Sequence, residues 1–193
     1  MKYQQKFRKV NKREKEIIYN SVQKISQRII PFLNELNHEF YISFQDSRIK
    51  RVYPSIFLAP HDLSKNFNFD KSKINFISIG LYFGFMKKNQ LYLSLEAADL
   101  LHENNVLRES NYLLVNHKGE KAILYGNNII KSHLVKITKS LKKNEFLLIL
   151  NQEEELISIA LSVINGDSIG NLGPKTVIAK TLNDKGSYLR VEQ

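Results

Sequence analysis

A glycine followed by two asparagines and then lysines is the pattern in this chain best suited to hold a phosphate. It lies in Ala122–Lys136, AILYGNNIIKSHLVK. The apolar run Ala122-Ile123-Leu124-Tyr125 predicts a strand. Gly126 predicts a turn with φ > 0. Asn127 or Asn128 then reads as the N-cap of a short helix carrying Ile129, Ile130 and Leu134. The unpaired N–H groups of such a helix start attract an anion, and Lys131 and Lys136 add positive charge beside it.

Other chemistry has less support. The five histidines, His38, His61, His102, His117 and His133, include no pair spaced to put two ligands on one helix face. No metal and no cofactor are therefore expected. Asp46, Asp62, Asp70 and Asp99 fall where aspartate commonly serves turns and helix ends. Gly166, Gly170, Gly173, Pro174, Lys175 and Thr176 superficially resemble a phosphate loop. That loop needs Gly-Lys-Ser/Thr in direct succession, and Pro174 interrupts it and removes a donor. There is no G-x-S-x-G elbow. No catalytic residue is assigned, and the chain reads as a non-enzyme.

The charge points to a polyanion. Twenty-nine basic and 19 acidic residues leave a net charge of +10, which favours nucleic acid or an anionic surface. Residues 1–15 hold seven Lys/Arg and one acid, and residues 131–143 hold five lysines and no acid. The absence of cysteine excludes disulfides, thiol catalysis and thiolate zinc sites. No apolar run follows the first basic residues, so no signal peptide is expected. The longest apolar runs are too short to span a membrane as a helix.

The elements that must position these residues fall into two sets. Residues 1–10 read as a basic arm. Asn11 starts a helix with Glu14 completing a capping box; Ile18, Val22, Ile25 and Ile29 come next at helical spacing, and Pro31 stops or kinks it. Phe32, Leu33 and Leu36 suit a short second helix. Phe40–Phe44 and Ile49–Tyr53 predict a hairpin turning at Asp46-Ser47, Pro54–Leu63 a short helix, and Ser64–Ser72 a loop. Ile74–Phe85 predicts strand, glycine bend, strand. Lys87-Lys88-Asn89-Gln90 predicts a hairpin turn into a strand with Leu91, Leu93 and Leu95 alternating, and Glu96–His102 a closing helix. Asn104–Asn111, polar and aperiodic, marks the domain boundary. Beyond it, strands are expected at Tyr112–Asn116, Lys121–Tyr125, Phe146–Leu150, Leu156–Ile164 and Thr176–Leu182, which suits a small barrel. The fold class is α+β. An N-terminal α/β domain with a mostly antiparallel sheet (1–108) precedes a β-barrel with a short helix (109–193).

Four stretches together resemble a known family. They are Leu124–Ser132, LYGNNIIKS; Arg8 with Asn11-x-x-Glu14; Ile79–Phe85; and Asp184–Arg190. In order and spacing they are similar to the Nip-seven family, assembly factors of the large ribosomal subunit in archaea and eukaryotes. The resemblance implies that residues 109–193 form a PUA domain, an RNA-binding β-barrel. It also implies a surface built from the short helix after the glycine turn and the late strands. Carried over, that surface holds Gly126, Asn127, Lys131, Ser132 and Lys136, with Lys175, Lys180 and Arg190 as neighbours. His133 stands where relatives often have glycine, and either narrows the approach of RNA or adds a donor. Asn165–Gly173, often basic in relatives, has no Lys or Arg here, so more of the contact is expected from Lys131–Lys143. Tyr125, placed in a strand, reads as a core side chain, with base stacking as the alternative; Tyr188 stays open between the two.

The function expected is that of a non-catalytic RNA-binding factor in ribosome biogenesis, acting in pre-rRNA processing or large-subunit assembly. It would bind single-stranded regions of rRNA through the second domain and assembly proteins through the first, as a monomer, without a membrane. Its place would be the cytoplasm in an archaeon and the nucleolus or nucleus in a eukaryote. The alternatives are the RNA-targeting subunit of a tRNA- or rRNA-modifying enzyme, and a protein-only adaptor whose charge is surface.

Overall fold

Asn11 begins the first helix as its sequence requires. Its side-chain oxygen accepts the Glu14 N–H at 2.9 Å, and Glu14 accepts the Asn11 N–H at 2.8 Å. Arg8 adds a bidentate contact to the Glu14 carboxylate at 2.8 and 2.7 Å, which holds that carboxyl below its ordinary range. The computed structural model describes residues 6–44, 53–63, 76 and 78–190. The chain divides into two units, Met1–Leu101 and His102–Gln193.

In the first unit, five antiparallel strands lie in the order β1-β2-β3-β4-β5. They are β1 (Lys6–Lys9), β2 (His38–Phe44), β3 (Ser55–Pro60), β4 (Leu81–Lys87) and β5 (Gln90–Leu93). The helices are α1 (Lys12–Ile25), α2 (Ile29–Glu35) and α3 (Leu95–Glu103), whose last two residues, His102 and Glu103, fall in the second unit. Ser21 of α1 accepts the Leu91 N–H at 3.0 Å, so α1 satisfies a donor on the edge strand β5. Pro31 sits in the first turn of α2, where its missing N–H costs nothing. Lys88 and Asn89 both take φ > 0 in the two-residue turn joining β4 to β5.

Three expectations change here. Lys6–Lys9 form an edge strand rather than an arm, because Phe7 buries itself against Phe57; residues 1–5 lie outside the described residues. Ser55–Pro60 form a strand instead of a helix. Ile56, Phe57, Leu58 and Ala59 are buried in succession, as in a central strand covered on both faces. Of Ile74–Phe85, the glycine bend stands at Gly80 (φ +59), but Ile79 before it is not strand, and the strand after it runs through Gly84 to Lys87; residues 74, 75 and 77 lie outside the described residues. The turn at Asp46-Ser47, residues 49–52 and the Ser64–Ser72 loop lie outside the described residues; β2 pairs with β1 and β3.

The second unit is a nearly closed six-stranded sheet of order β7-β11-β10-β9-β6-β8, antiparallel except where β6 meets β9. Its strands are β6 (Tyr112–Val115), β7 (Ile129–Ile130), β8 (Leu134–Ile137), β9 (Phe146–Leu150), β10 (Leu156–Ser162) and β11 (Val177–Asp184). Leu113, Val115, Leu147, Ile149, Ile157 and Ile178 share its core with Ile123 and Ile129. Helix α4 (His117–Leu124) joins β6 to β7, and a single helical turn, α5 (Ser187–Arg190), comes after β11. The 104–111 segment is packed, with Val106 and Leu107 buried. The fully buried Asn111 donates to the Phe146 carbonyl at 2.9 Å.

The central stretch is reversed relative to the sequence reading. Residues His117–Leu124 are helix, so Lys121–Tyr125 are not a strand. Beyond Asn127 the chain forms β7 and one 3₁₀ turn, Lys131–His133, in place of the expected helix. The helix starts at Asn116, which caps the Gly119 N–H at 2.9 Å. It ends in a Schellman motif: the Gly126 N–H donates to the Ile123 carbonyl at 2.7 Å and the Asn127 N–H to the Ala122 carbonyl at 3.1 Å. Gly126 takes φ +83 in that motif. Its glycine therefore closes a helix instead of opening one.

Candidate nucleic-acid interface

A reversed helix reverses the electrostatics at Gly126. The end of α4 presented there carries carbonyl groups and partial negative charge, not anion-binding N–H groups. Asn127 serves that end: its side-chain amide donates to the Ala122 carbonyl at 3.0 Å. Arg190 also serves it, donating to the Leu124 carbonyl. The same guanidinium grips the buried Asp184 carboxylate at 3.0 and 2.8 Å, a contact that raises the guanidinium's pKa above its ordinary value. Any attraction for phosphate must therefore come from lysine side chains.

The expected residues do not form one cluster. Gly126, Asn127 and Arg190 come together beside β11, where the Asn127 carbonyl accepts the Thr181 hydroxyl at 2.8 Å. Asn128 accepts the Thr181 N–H at 3.2 Å. Lys180, next along β11, is exposed. Lys131, Ser132 and Lys175 gather at the other end of the short strand β7. There Lys131 N–H meets the Thr176 carbonyl and Ser132 N–H the Pro174 carbonyl, each at 2.9 Å. Since β7 is two residues long and pairs with β11, the two groups lie along one sheet edge. His133 and Lys136 are elsewhere: His133 packs on Gly119, and Lys136 stands on β8 opposite Leu114.

Lys131 is engaged. Its ammonium donates to the Gly170 carbonyl at 3.1 Å and also to the Leu172 carbonyl, so it holds the 170–172 loop to the barrel. Lys131→Gln is expected to lower stability by about 1.5–3 kcal/mol, the range for hydrogen bonds to a charged group. It should affect RNA affinity less than Lys180→Gln does. Urea unfolding and RNA titration of both variants check this.

His133 Nδ1 is buried with no hydrogen-bond partner among the described residues, and burial depresses the imidazole pKa. The unfolded chain binds a proton there from about pH 6.5 downward, while the fold resists it. This histidine therefore contributes stability above that pH, which is lost as pH falls through the folded value. Chemical denaturation at about pH 7.5 and 5.5 should show the loss, and His133→Asn should reduce it.

Sequence reasoning favoured the core for Tyr125, left Tyr188 open and did not single out Leu182 or Leu189, yet all four are exposed. Tyr125 is 78% exposed, Leu189 76%, Tyr188 55% and Leu182 45%. Tyr125, expected in the core, stands outside because it is the C-cap of α4, one residue past the helical turn whose Ile123 faces inward. The asparagine at 116 and the glycine at 126, a cap pair bracketing one helix, are the signals that would have found it. Lys121, one helical turn before Tyr125, Lys180 on β11 and Lys185 just after it are exposed.

The barrel, its connecting helix and the lysine-bearing edge beside an exposed tyrosine define the class: a protein with a PUA fold. A conserved PUA domain protein from Thermoplasma acidophilum shares the fold over 96% of both chains, with a TM-score of 0.60 at 15% identity. Residues 111–193 match the model of the UPF0113 PUA domain. The resemblance to the Nip-seven family holds as well. The chain is 28% identical over 120 residues to the Schizosaccharomyces pombe 60S ribosome subunit biogenesis protein nip7, covering 61% of this chain and 64% of that protein, under two thirds of its length. It is 22% identical to the Saccharomyces cerevisiae 60S ribosome subunit biogenesis protein NIP7, covering 96% of this chain and 97% of that one.

Among the described residues, no three His, Cys, Asp or Glu side chains are placed to hold a metal ion, and no helix is long and apolar enough to cross a membrane.

Proposed function

We propose that this chain is a non-catalytic RNA-binding factor in the biogenesis of the large ribosomal subunit. It engages single-stranded rRNA through residues 109–193 and assembly proteins through residues 1–108, as a monomer. The observation that carries the RNA reading is Tyr125, an exposed residue at the helix end beside Gly126, with the exposed Lys121 one helical turn before it and the exposed Lys180 on β11. Aromatic faces with flanking cations suit unpaired bases and their phosphates. The relatives' names support the process, and the net charge of +10 supports the ligand.

Within this reading, Gly126 and Asn127 shape the surface and Arg190 holds it together. Lys180 and Lys175 meet phosphates along the β7–β11 edge. Ser132 lies on that path, Lys131 and His133 support it from within, and Lys136 contacts RNA from β8. Catalysis is assigned to no residue. The protein works in the nucleolus or nucleus of a eukaryote, or in the cytoplasm of an archaeon.

The test is ultraviolet crosslinking in cells with readout of the bound nucleotides, together with sedimentation of the native protein. Crosslinks concentrated in large-subunit rRNA, and co-migration with immature large subunits that mild RNase treatment abolishes, are the expected results. Crosslinks to transfer RNA alone would favour the alternative, an RNA-targeting subunit of a modifying enzyme. Co-migration that survives RNase without crosslinks would leave a protein-only adaptor.

A further inference from the structure

Lys136, separated from the other expected RNA contacts, lines a cleft of its own. The cleft has a volume of about 250 Å³, and every residue lining it belongs to the second unit. Its lining combines the apolar Leu114 and Leu150 with the charged Glu109, Lys136 and Glu154 and the aromatic His102 and Tyr112. Apolar floors with a few convergent polar groups are the usual form of a small-ligand site.

The wall is held in place. His102 Nε2 lies 3.2 Å from the Glu154 carbonyl and donates its proton there, which leaves Nδ1 as an acceptor facing the Tyr112 hydroxyl at 3.5 Å. The two rings are tilted by 59° at 5.5 Å. Burial raises the Tyr112 pKa, so the phenol stays neutral. Glu154 itself sits at φ +62. A glutamate rarely adopts that conformation, and such strain gathers at functional sites.

The charges select the ligand. A purely anionic ligand would be repelled by Glu109 and Glu154, and a cationic side chain by Lys136. A nucleotide satisfies both signs, with its phosphate at the lysine and a donor edge toward the carboxylates. Guanine alone among the four bases offers two adjacent donors, N1–H and N2–H, which match one carboxylate bidentately. Adenine and cytosine place a ring acceptor beside their amine, and uracil flanks its one N–H with carbonyls. We propose that this cleft takes a single unpaired guanine of the bound RNA. The base stacks on Tyr112, the carboxylate of Glu109 or Glu154 reads its N1–H and N2–H, and Lys136 holds its phosphate. This rests on the RNA-binding reading and adds base selectivity to it.

The test uses the full chain and uridine heptamers whose central base is guanine, inosine, adenine or uracil. The guanine oligomer should bind about tenfold tighter than the adenine or uracil ones, the discrimination of a single bidentate base contact. Inosine, which lacks the 2-amino group, should fall between. In the Glu109→Gln, Glu154→Gln double variant the guanine-to-adenine ratio should approach unity. The ratio is the readout because removing carboxylates raises affinity for any RNA. The inosine comparison needs no variant and so cannot be lost to misfolding. Equal affinity for all four oligomers overturns the cleft proposal while leaving RNA binding intact. Failure of every oligomer to bind overturns both. Resonances of Tyr112 and His102 should move with guanosine monophosphate. If they move with argininamide instead, the occupant is a basic protein segment and the proposal is overturned.

Discussion

Replacing Tyr125 by alanine is expected to weaken single-stranded RNA binding by about tenfold or more, since stacking on an aromatic contributes roughly 1–3 kcal/mol per base. Tyr125→Phe should retain the affinity, because the ring and not the hydroxyl makes the contact. Neither change should alter the salt slope, which counts phosphate contacts. Lys180→Gln, by contrast, should reduce that slope by about 0.7 for a single strand. The Tyr125 ring is 78% exposed, so its loss should move stability by less than about 0.5 kcal/mol. Fluorescence titration of a labelled oligonucleotide across several salt concentrations separates these effects. Unchanged affinity in Tyr125→Ala would mean that RNA does not use this end of the barrel.

Gly186→Ala should lower stability clearly. A methyl group there would stand 2.0 Å from the Leu124 carbonyl oxygen and 2.9 Å from the Arg190 guanidinium. Both belong to the contact that closes the end of α4 against α5. Leu124 is backbone in a helix end already fixed by Gly126, so it cannot yield cheaply, and the helix and the C-terminal turn must separate. Overpacking of this kind costs about 1–3 kcal/mol, and each kcal/mol lowers Tm by roughly 4–8 °C in a domain of this size. Because Tyr125 adjoins Leu124, RNA affinity should fall with stability. Gly170→Ala is the control, since a methyl group there meets no atom within 4 Å. Thermal unfolding of the two variants should differ clearly. Equal melting temperatures would show that the Leu124–Arg190 contact contributes nothing.

Much of the molecule is legible in its sequence where the deciding forces are local. The Asn11–Glu14 capping box spans three residues and forms as read. Lys88-Asn89 turns the hairpin between β4 and β5 because two successive residues tolerate φ > 0. Strands β9, β10 and β11 emerge where apolar runs are long enough to be strand and bounded by polar turns. The family's short stretches point to the PUA class without any contact being known, and the charge alone points to a polyanion.

Tertiary structure decided the rest. Ala122–Tyr125 is too short for periodicity to separate strand from helix. It is helix because Ile123 turns into the barrel core while Asn116 and Gly126 close the two ends. That one reversal carries Tyr125 from the core to the surface and turns a helix C-terminus toward Gly126. The lysines divide for a similar reason. Lys131 is bound by carbonyls 39 and 41 residues along the chain, whereas Lys180 stays exposed and Lys136 goes to a separate cleft. A side chain's type announces what it can bond, but its partner depends on which distant backbone the strand pairing brings within about 3 Å.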